Sequence, residues 1–418
     1  MSNQLKTNIS WLALMKISSY LLPLLTLPYL TNVLGLELFG VLAIGMAIQQ
    51  IIFSLCDYGF SLLGPKLVAE NLEDKKLLGQ IVTAITLIKL AIFCIVYLGL
   101  YYLLPILKIP KQNAELWLLM LWVSLLQVLI PVWFFLGIQK MANVTFVNIF
   151  ERLLYTSLIF LMIDSAADLQ LIPMLMIASM SLALFVSCLL VKRAKVVPLM
   201  VELSLIKSLF IQGWGYFYSR LTMMLFSKFN VIIVASFLGE SAAGVFSLAE
   251  RIYNAARSMM APVTDALYPH MVQTKNWPLA LKIIKYASLF AVSCVFISFM
   301  LSGWFFSLFG DGFSQAADIF NILMYAFAFS LISMLIGYPV LGVVGFAKEV
   351  NNSVLYGALQ HGVVIFVLWQ QDLLSGYSLA ISLVLTEVFI FGYRIFYINQ
   401  SKVFSGPLKV INECKGNK

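Results

Sequence analysis

Residues 9–34 read ISWLALMKISSYLLPLLTLPYLTNVL, an apolar run in which Lys16 is the only charged residue. It exceeds the roughly 20 residues that an α-helix needs to cross a hydrocarbon core of about 30 Å. It is too long for a signal-peptide core and lacks a small-residue cleavage site, so it is expected to stay as a first helix. Similar runs recur near residues 39–63, 77–104, 114–137, 142–163, 170–191, 210–238, 243–271, 283–309, 316–345, 350–369 and 374–398. They predict an all-α integral membrane protein of twelve transmembrane helices. Open strands would leave edge N–H and C=O groups unpaired in lipid, and the period-2 alternation of barrel strands is absent.

Composition agrees with that reading. The chain has 418 residues, 61% hydrophobic and 11% charged, with a mean hydropathy of +0.95; a soluble protein carries about 25% charged residues. The loops between the runs are too short to hold a catalytic domain, so no enzyme activity is expected. Net charge is +8, from 27 Lys and Arg against 19 Asp and Glu, yet no basic soluble domain is present to bind nucleic acid. Of the cysteines, Cys56, Cys94, Cys188 and Cys294 fall inside apolar runs and Cys414 in the tail, without paired spacing. Two histidines, His270 and His361, are too far apart in sequence to suggest a metal site.

Basic residues orient the chain. Every loop Lys and Arg except Lys108 and Lys111 falls on the side that holds both termini, which the positive-inside rule assigns to the cytoplasm. The chain also repeats itself. Moved forward by a constant offset, Gly35, Gly40, Val41 and Pro65 fall on Gly239, Gly244, Val245 and Pro269, and Lys16 falls on Arg220. A slightly larger offset lays Pro131, Gly137, Lys140 and Asn143 on Pro339, Gly345, Lys348 and Asn351. Because six helices bring the chain back to its starting side, the halves are parallel repeats. The expected organisation is an amino-terminal six-helix lobe over 1–191, a cytoplasmic linker over 192–209 containing Lys192-Arg193-Ala194-Lys195, a carboxy-terminal lobe over 210–398, and a cytoplasmic tail over 399–418.

Charges inside the runs suggest a function. A Lys, Arg or Asp at mid-span costs roughly 2.5–3.5 kcal/mol facing lipid, so such residues should face water or partners. In the eighth run Glu250, Asn254, Arg257, Thr264, Asp265 and Tyr268 fall within about a 100° sector of a continuous helix, with Arg251 at its edge. The seventh places Tyr216, Arg220, Met223 and Ser227 on one face, the second Gln50, Ser54, Asp57 and Ser61, and the first Lys16, Ser19, Tyr20 and Pro23. These stripes are expected to meet between the lobes in a cationic cavity. Its candidate substrate-binding residues are Arg220, Arg257, Arg251, Lys16 and Lys228; Asp57, Asp265 and Glu250 are candidates for ion coupling or charge balance. Guanidinium groups suit phosphate or carboxylate, so the expected cargo has an anionic headgroup. Lys89, alone in the third run, reads as a packing or snorkelling residue. Glu151-Arg152 and Glu387 with Arg394 read as structural ion pairs between helices.

Several stretches carry a resemblance. Ser18-Ser19-Tyr20-Leu21-Leu22-Pro23-Leu24-Leu25-Thr26-Leu27-Pro28-Tyr29-Leu30, Val33-Leu34-Gly35, Phe39-Gly40, Asp57-Tyr58-Gly59-Phe60 and Pro131-Val132-Trp133-Phe134-Phe135-Leu136-Gly137, with Lys140-Met141, resemble Wzx O-antigen flippases. These form the polysaccharide transporter branch of the superfamily that contains multidrug and toxin extrusion (MATE) transporters. The resemblance implies a two-lobed MATE-like fold and movement of an undecaprenyl-diphosphate-linked oligosaccharide across a bacterial inner membrane by alternating access. No cofactor is expected, and proton or Na+ coupling is left open, with Asp57 and Asp265 as its candidate residues. Expected partners are the lipid-linked oligosaccharide, membrane lipid and other polysaccharide-assembly proteins. A cation-coupled multidrug exporter of the same fold is the alternative. A polymerase or ligase of the same pathway would be expected to carry a large extracytoplasmic loop, and every such loop here is about ten residues or shorter.

Overall fold

The structure is a computed structural model that describes residues 3–106 and 110–401, with side chains except those of residues 3–9, 12, 13, 218–228 and 311. Every regular element among the described residues is helical: α1 Asn3–Asp57, α2 Phe60–Glu70, α3 Lys75–Ile106, α4 Lys111–Leu129, α5 Val132–Gly137, α6 Met141–Met162, α7 Leu171–Arg193, α8 Leu203–Ser258, α9 Ala261–Thr274, α10 Trp277–Ser307, α11 Ser314–Ile336, α12 Ala347–Gln370 and α13 Gly376–Ser401. Short 3₁₀ turns cover Ala166–Gln170 and Asp311–Phe313, and a π-helical segment covers Gly337–Gly342.

Ten helical segments are long and apolar enough to span a bilayer among the described residues. Leu14–Glu70 runs through the first two expected spans, and Phe229–Thr274 joins the end of the seventh to the eighth. A straight helix of the 55 residues of α1 would be about 80 Å long, far more than the hydrocarbon thickness. It is interrupted at Gly35, where φ is 70° and ψ −179°, a region that only glycine enters readily.

Hydrogen bonds show that α1 doubles back there. Before Gly35, Trp11, Ser19 and Tyr29 pair in order with Thr145, Asn148 and Ile163 along α6. After it, Val41 accepts from Trp117, and Gln49 binds Ser124 and Gln127, along α4. The start of α7 meets the start of α4 through Gln170 and the Gln112 carbonyl, so α4 and α6 are antiparallel. The two arms of α1, each parallel to one of them, are therefore antiparallel too. The residue that the repeat pairs with Gly35 behaves alike: Gly239 interrupts α8 with φ 87° and ψ 177°.

Close packing at the following turns is reciprocal. A Cβ on Gly40 would lie 1.9 Å from the Glu240 carbonyl oxygen, and one on Gly244 would lie 2.9 Å from the Leu36 carbonyl oxygen. The offset that maps Gly40 onto Gly244 also maps Leu36 onto Glu240. Each glycine thus seats the carbonyl one turn before its counterpart, which only a missing side chain permits.

Contacts divide the chain into two compact units, residues 1–248 with 306–315, and residues 249–305 with 316–418. The first unit has a core in which Tyr58, Phe60, Trp133, Phe134 and Phe135 are buried. Tyr58, in the left-handed region at φ 49°, stacks on Phe210 and Phe217 at centroid distances of 4.7 and 4.9 Å. The second unit packs α9 and α10 around Leu335 and Val340, and α12 and α13 around Ile336 and Leu341.

Candidate functional site

In the second unit, the last two turns of α8 set apolar Ile252, Tyr253 and Ala255 inward, while Glu250, Arg251, Asn254 and Arg257 stay half-exposed. Arg257 Nη2 lies 3.2 Å from Glu387 Oε1 on α13; the Arg257 side chain is 41% exposed and that of Glu387 10%. One oxygen of a nearly buried carboxylate therefore holds a guanidinium that still presents itself to the surroundings. The buried Tyr253 hydroxyl bonds the Arg257 side chain and shares the field of Glu250 and Glu387. This arrangement suits a cation that must be fixed in direction and yet accept an anionic group, because the fork offers more donors than one carboxylate occupies.

The continuous stripe expected over residues 250–268 is interrupted. α8 ends at Ser258 and α9 begins at Ala261. Pro262 has no N–H to give to the Ser258 carbonyl, so the helix restarts. Exposed Asp265 and Tyr268 consequently lie beyond a break, and helical phase carried through it does not set their direction. Tyr268 packs on Tyr338 at 5.9 Å.

Arg394 does not pair with Glu387, contrary to expectation. Its Nε donates to Ser353 Oγ at 3.0 Å and its Nη1 to the Ser333 carbonyl at 2.6 Å, with Nη2 3.4 Å from the Val350 carbonyl. The buried guanidinium thereby ties α13 to α11 and α12 beside the π-helical turn, where Gly337 leaves room for it. That geometry makes Arg394 a packing anchor and leaves Glu387 to Arg257.

The first unit also departs from expectation at Lys89. It is 2% exposed, so it does not snorkel. Its ammonium lies 3.3 Å from Asp57 Oδ1 and donates to the Val128 carbonyl at 3.0 Å. Asp57 Oδ2 also accepts the Ser61 N–H at 3.2 Å, bridging the break at Tyr58 and Gly59. Two single charges in separate apolar runs each need a partner in lipid, and that demand was the available signal for this pair. Lys16 is half-buried beside Ser19, whose hydroxyl bonds Asn148. Arg152 Nε lies 3.3 Å from Glu151 Oε2, within one helix and not between helices. The side chains of Arg220 and Lys228 lie outside the described residues. Tyr253 was missed in the sequence, although its place four residues before Arg257 is the ordinary helical contact spacing.

Comparison with known proteins gives consistent results. The family described as polysaccharide biosynthesis protein matches residues 5–275. A candidate O-antigen transporter of Escherichia coli is 26% identical over 416 residues, covering 96% of this chain and 98% of the relative. Another of Shigella dysenteriae is 23% identical, covering 92% and 98%. Among solved structures, an inward-facing multidrug resistance MATE family transporter of the MOP superfamily superposes with a TM-score of 0.69 at 14% identity, covering 97% of each chain. An outward-facing one gives 0.60 at 16% identity, over 96% and 97%. These likenesses show the all-helical, MATE-like membrane fold expected from the sequence.

Proposed function

The chain belongs to the polysaccharide biosynthesis protein family, and from that premise we propose that it is a flippase for lipid-linked O-antigen or related oligosaccharide units. The observation that carries the proposal is the family match, joined by near full-length similarity to candidate O-antigen transporters. The membrane is the inner membrane of a bacterium, with both termini in the cytoplasm, as the loop charges argue. No bond is made or broken and no cofactor is used. The two repeats, 1–191 and 210–398, alternate in access, with proton and Na+ as the candidate coupling ions.

In this reading the diphosphate and its first sugars enter a cationic cavity while the polyprenyl chain stays in lipid. Arg257, supported by Glu387, is the cation whose geometry suits a phosphate best. Arg220, Arg251, Lys16 and Lys228 complete the proposed set, and Asp57, Asp265 and Glu250 serve coupling or charge balance. Other polysaccharide-assembly proteins are the expected partners.

The test is complementation. A strain lacking its own flippase receives wild type, Arg257→Ala or Arg220→Ala, with membrane abundance checked and surface polysaccharide measured. Restored polysaccharide with wild type supports the function, and its loss in the variants at normal abundance supports the site. The shared fold with multidrug transporters favours one second reading, a cation-coupled exporter. It predicts efflux of lipophilic cations and no complementation.

A further inference from the structure

At the end of the first unit opposite Gly35, a notch of about 470 Å³ is lined by Trp11 of α1, Lys140 to Asn143 at the start of α6, and Leu190, Arg193 and Ala194 at the end of α7. Lys140 and Arg193 are both exposed there, and among the described residues no carboxylate lies within ion-pair distance of either. Lys140 occupies the N-cap of α6 without making a side-chain cap. The first turn of α6 therefore adds its partial positive charge to that of the two side chains.

Below the notch the surface turns apolar along the same helix faces. On α6 Phe146 and Leu153 are exposed, and on α7 Leu189, Phe185 and Leu182 are exposed at steps of one turn back from Arg193. Trp11, 37% exposed at the rim, is the residue type that favours the boundary between headgroups and hydrocarbon. A cationic niche above an apolar flank is the shape of a site for a lipid headgroup, with its chain remaining in the bilayer.

We infer that this notch docks the diphosphate headgroup of a polyprenyl-linked lipid. The inference rests on the lipid-linked substrate proposed above and adds a site to it. A phosphodiester headgroup carries one negative charge, whereas two side-chain cations and a helix terminus match the higher charge of a diphosphate. The volume also exceeds that of a single phosphate and leaves space for part of a sugar. A docking point at the membrane boundary would raise the local concentration of substrate before it enters the translocation path.

The test uses the full chain in nanodiscs of neutral phosphatidylcholine, titrated with undecaprenyl diphosphate and followed by native mass spectrometry. The variants are Lys140→Ala, Arg193→Ala, the double variant, and Lys140→Arg to restore the charge. Lys192→Ala removes an equal charge next to the notch without lining it. Each alanine at the notch should weaken binding about tenfold, the effect of one charge-assisted hydrogen bond. Lys140→Arg and Lys192→Ala should bind as wild type, with melting temperatures unchanged in all. Phosphatidylglycerol and inorganic pyrophosphate should compete poorly. Unchanged binding by the double variant, equal affinity for phosphatidylglycerol, or full displacement by equimolar pyrophosphate would each overturn the inference. Absence of binding by wild type would overturn both this and the substrate reading, whereas wild-type binding indifferent to the variants overturns this one alone.

Discussion

Replacing Gly40 by alanine tests the reciprocal crossing of α1 and α8 directly. The new methyl would sit 1.9 Å from the Glu240 carbonyl oxygen, whereas carbon and oxygen in the closest favourable contacts are about 3.3 Å apart. The backbones must therefore part by about 1.4 Å. Overpacking of this kind costs about 1–3 kcal/mol. Alanine itself favours a helix by about 0.5–1 kcal/mol relative to glycine. Gly99→Ala isolates that second effect, because nothing lies within 4 Å of its would-be Cβ. At Gly244 the nearest atom is 2.9 Å away, so a separation of only about 0.4 Å suffices and the cost should be about 1 kcal/mol or less. The expected order of stability is Gly99→Ala, then wild type and Gly244→Ala close together because its small cost is offset by the helix gain, then Gly40→Ala. Denaturant midpoints of the purified protein in one detergent measure it, with a separation of about 1–3 kcal/mol between the extremes, because the helix gain is common to both. Equal midpoints for Gly40→Ala and Gly99→Ala would refute the close crossing.

Other expectations follow from the buried charges. Arg394→Met should destabilise by about 1–3 kcal/mol, because it removes the charged hydrogen bonds to the Ser333 carbonyl and Ser353 Oγ; a denaturation midpoint equal to wild type would deny the anchor role. Lys89→Met should cost about 3–5 kcal/mol by leaving Asp57 without its ammonium, while Lys89→Met with Asp57→Asn should recover much of that loss. A double-mutant cycle on denaturant midpoints measures the coupling, and strict additivity would contradict a direct pair. Glu387→Gln should lower polysaccharide export while leaving abundance near wild type, since it weakens the hold on Arg257 without removing it. Unchanged export would argue against support of Arg257 by that carboxylate.

The legibility of the chain differed with the kind of interaction. Gly35 and Gly239 were found as repeat partners from sequence, and their matching left-handed backbone gives that correspondence a physical basis. The segments quoted for their resemblance, Asp57-Tyr58-Gly59-Phe60 and Trp133-Phe134-Phe135, fold into a buried aromatic core. Pairing was harder to read. Glu387 and Arg394 lie on one helix and looked like partners, yet two other helices claim Arg394. Arg257 and Asp265 share a helical phase on paper, but Pro262 ends the register between them. Such errors arise because phase is a local property that survives only while the hydrogen-bond ladder is unbroken.

The sequence by itself determined that this chain lives in lipid, that it is helical throughout its spans, and that its halves repeat. Each of these depends on transfer of residues from water to hydrocarbon and on closing backbone hydrogen bonds within a segment, which are sums over neighbours in the chain. The tertiary structure alone decided which charge answers which: Lys89 with Asp57, Arg257 with Glu387, Arg394 with the carbonyls of α11 and α12. An ion in a low-dielectric interior seeks the nearest partner in space, and distances between residues far apart in sequence are fixed only when helices pack.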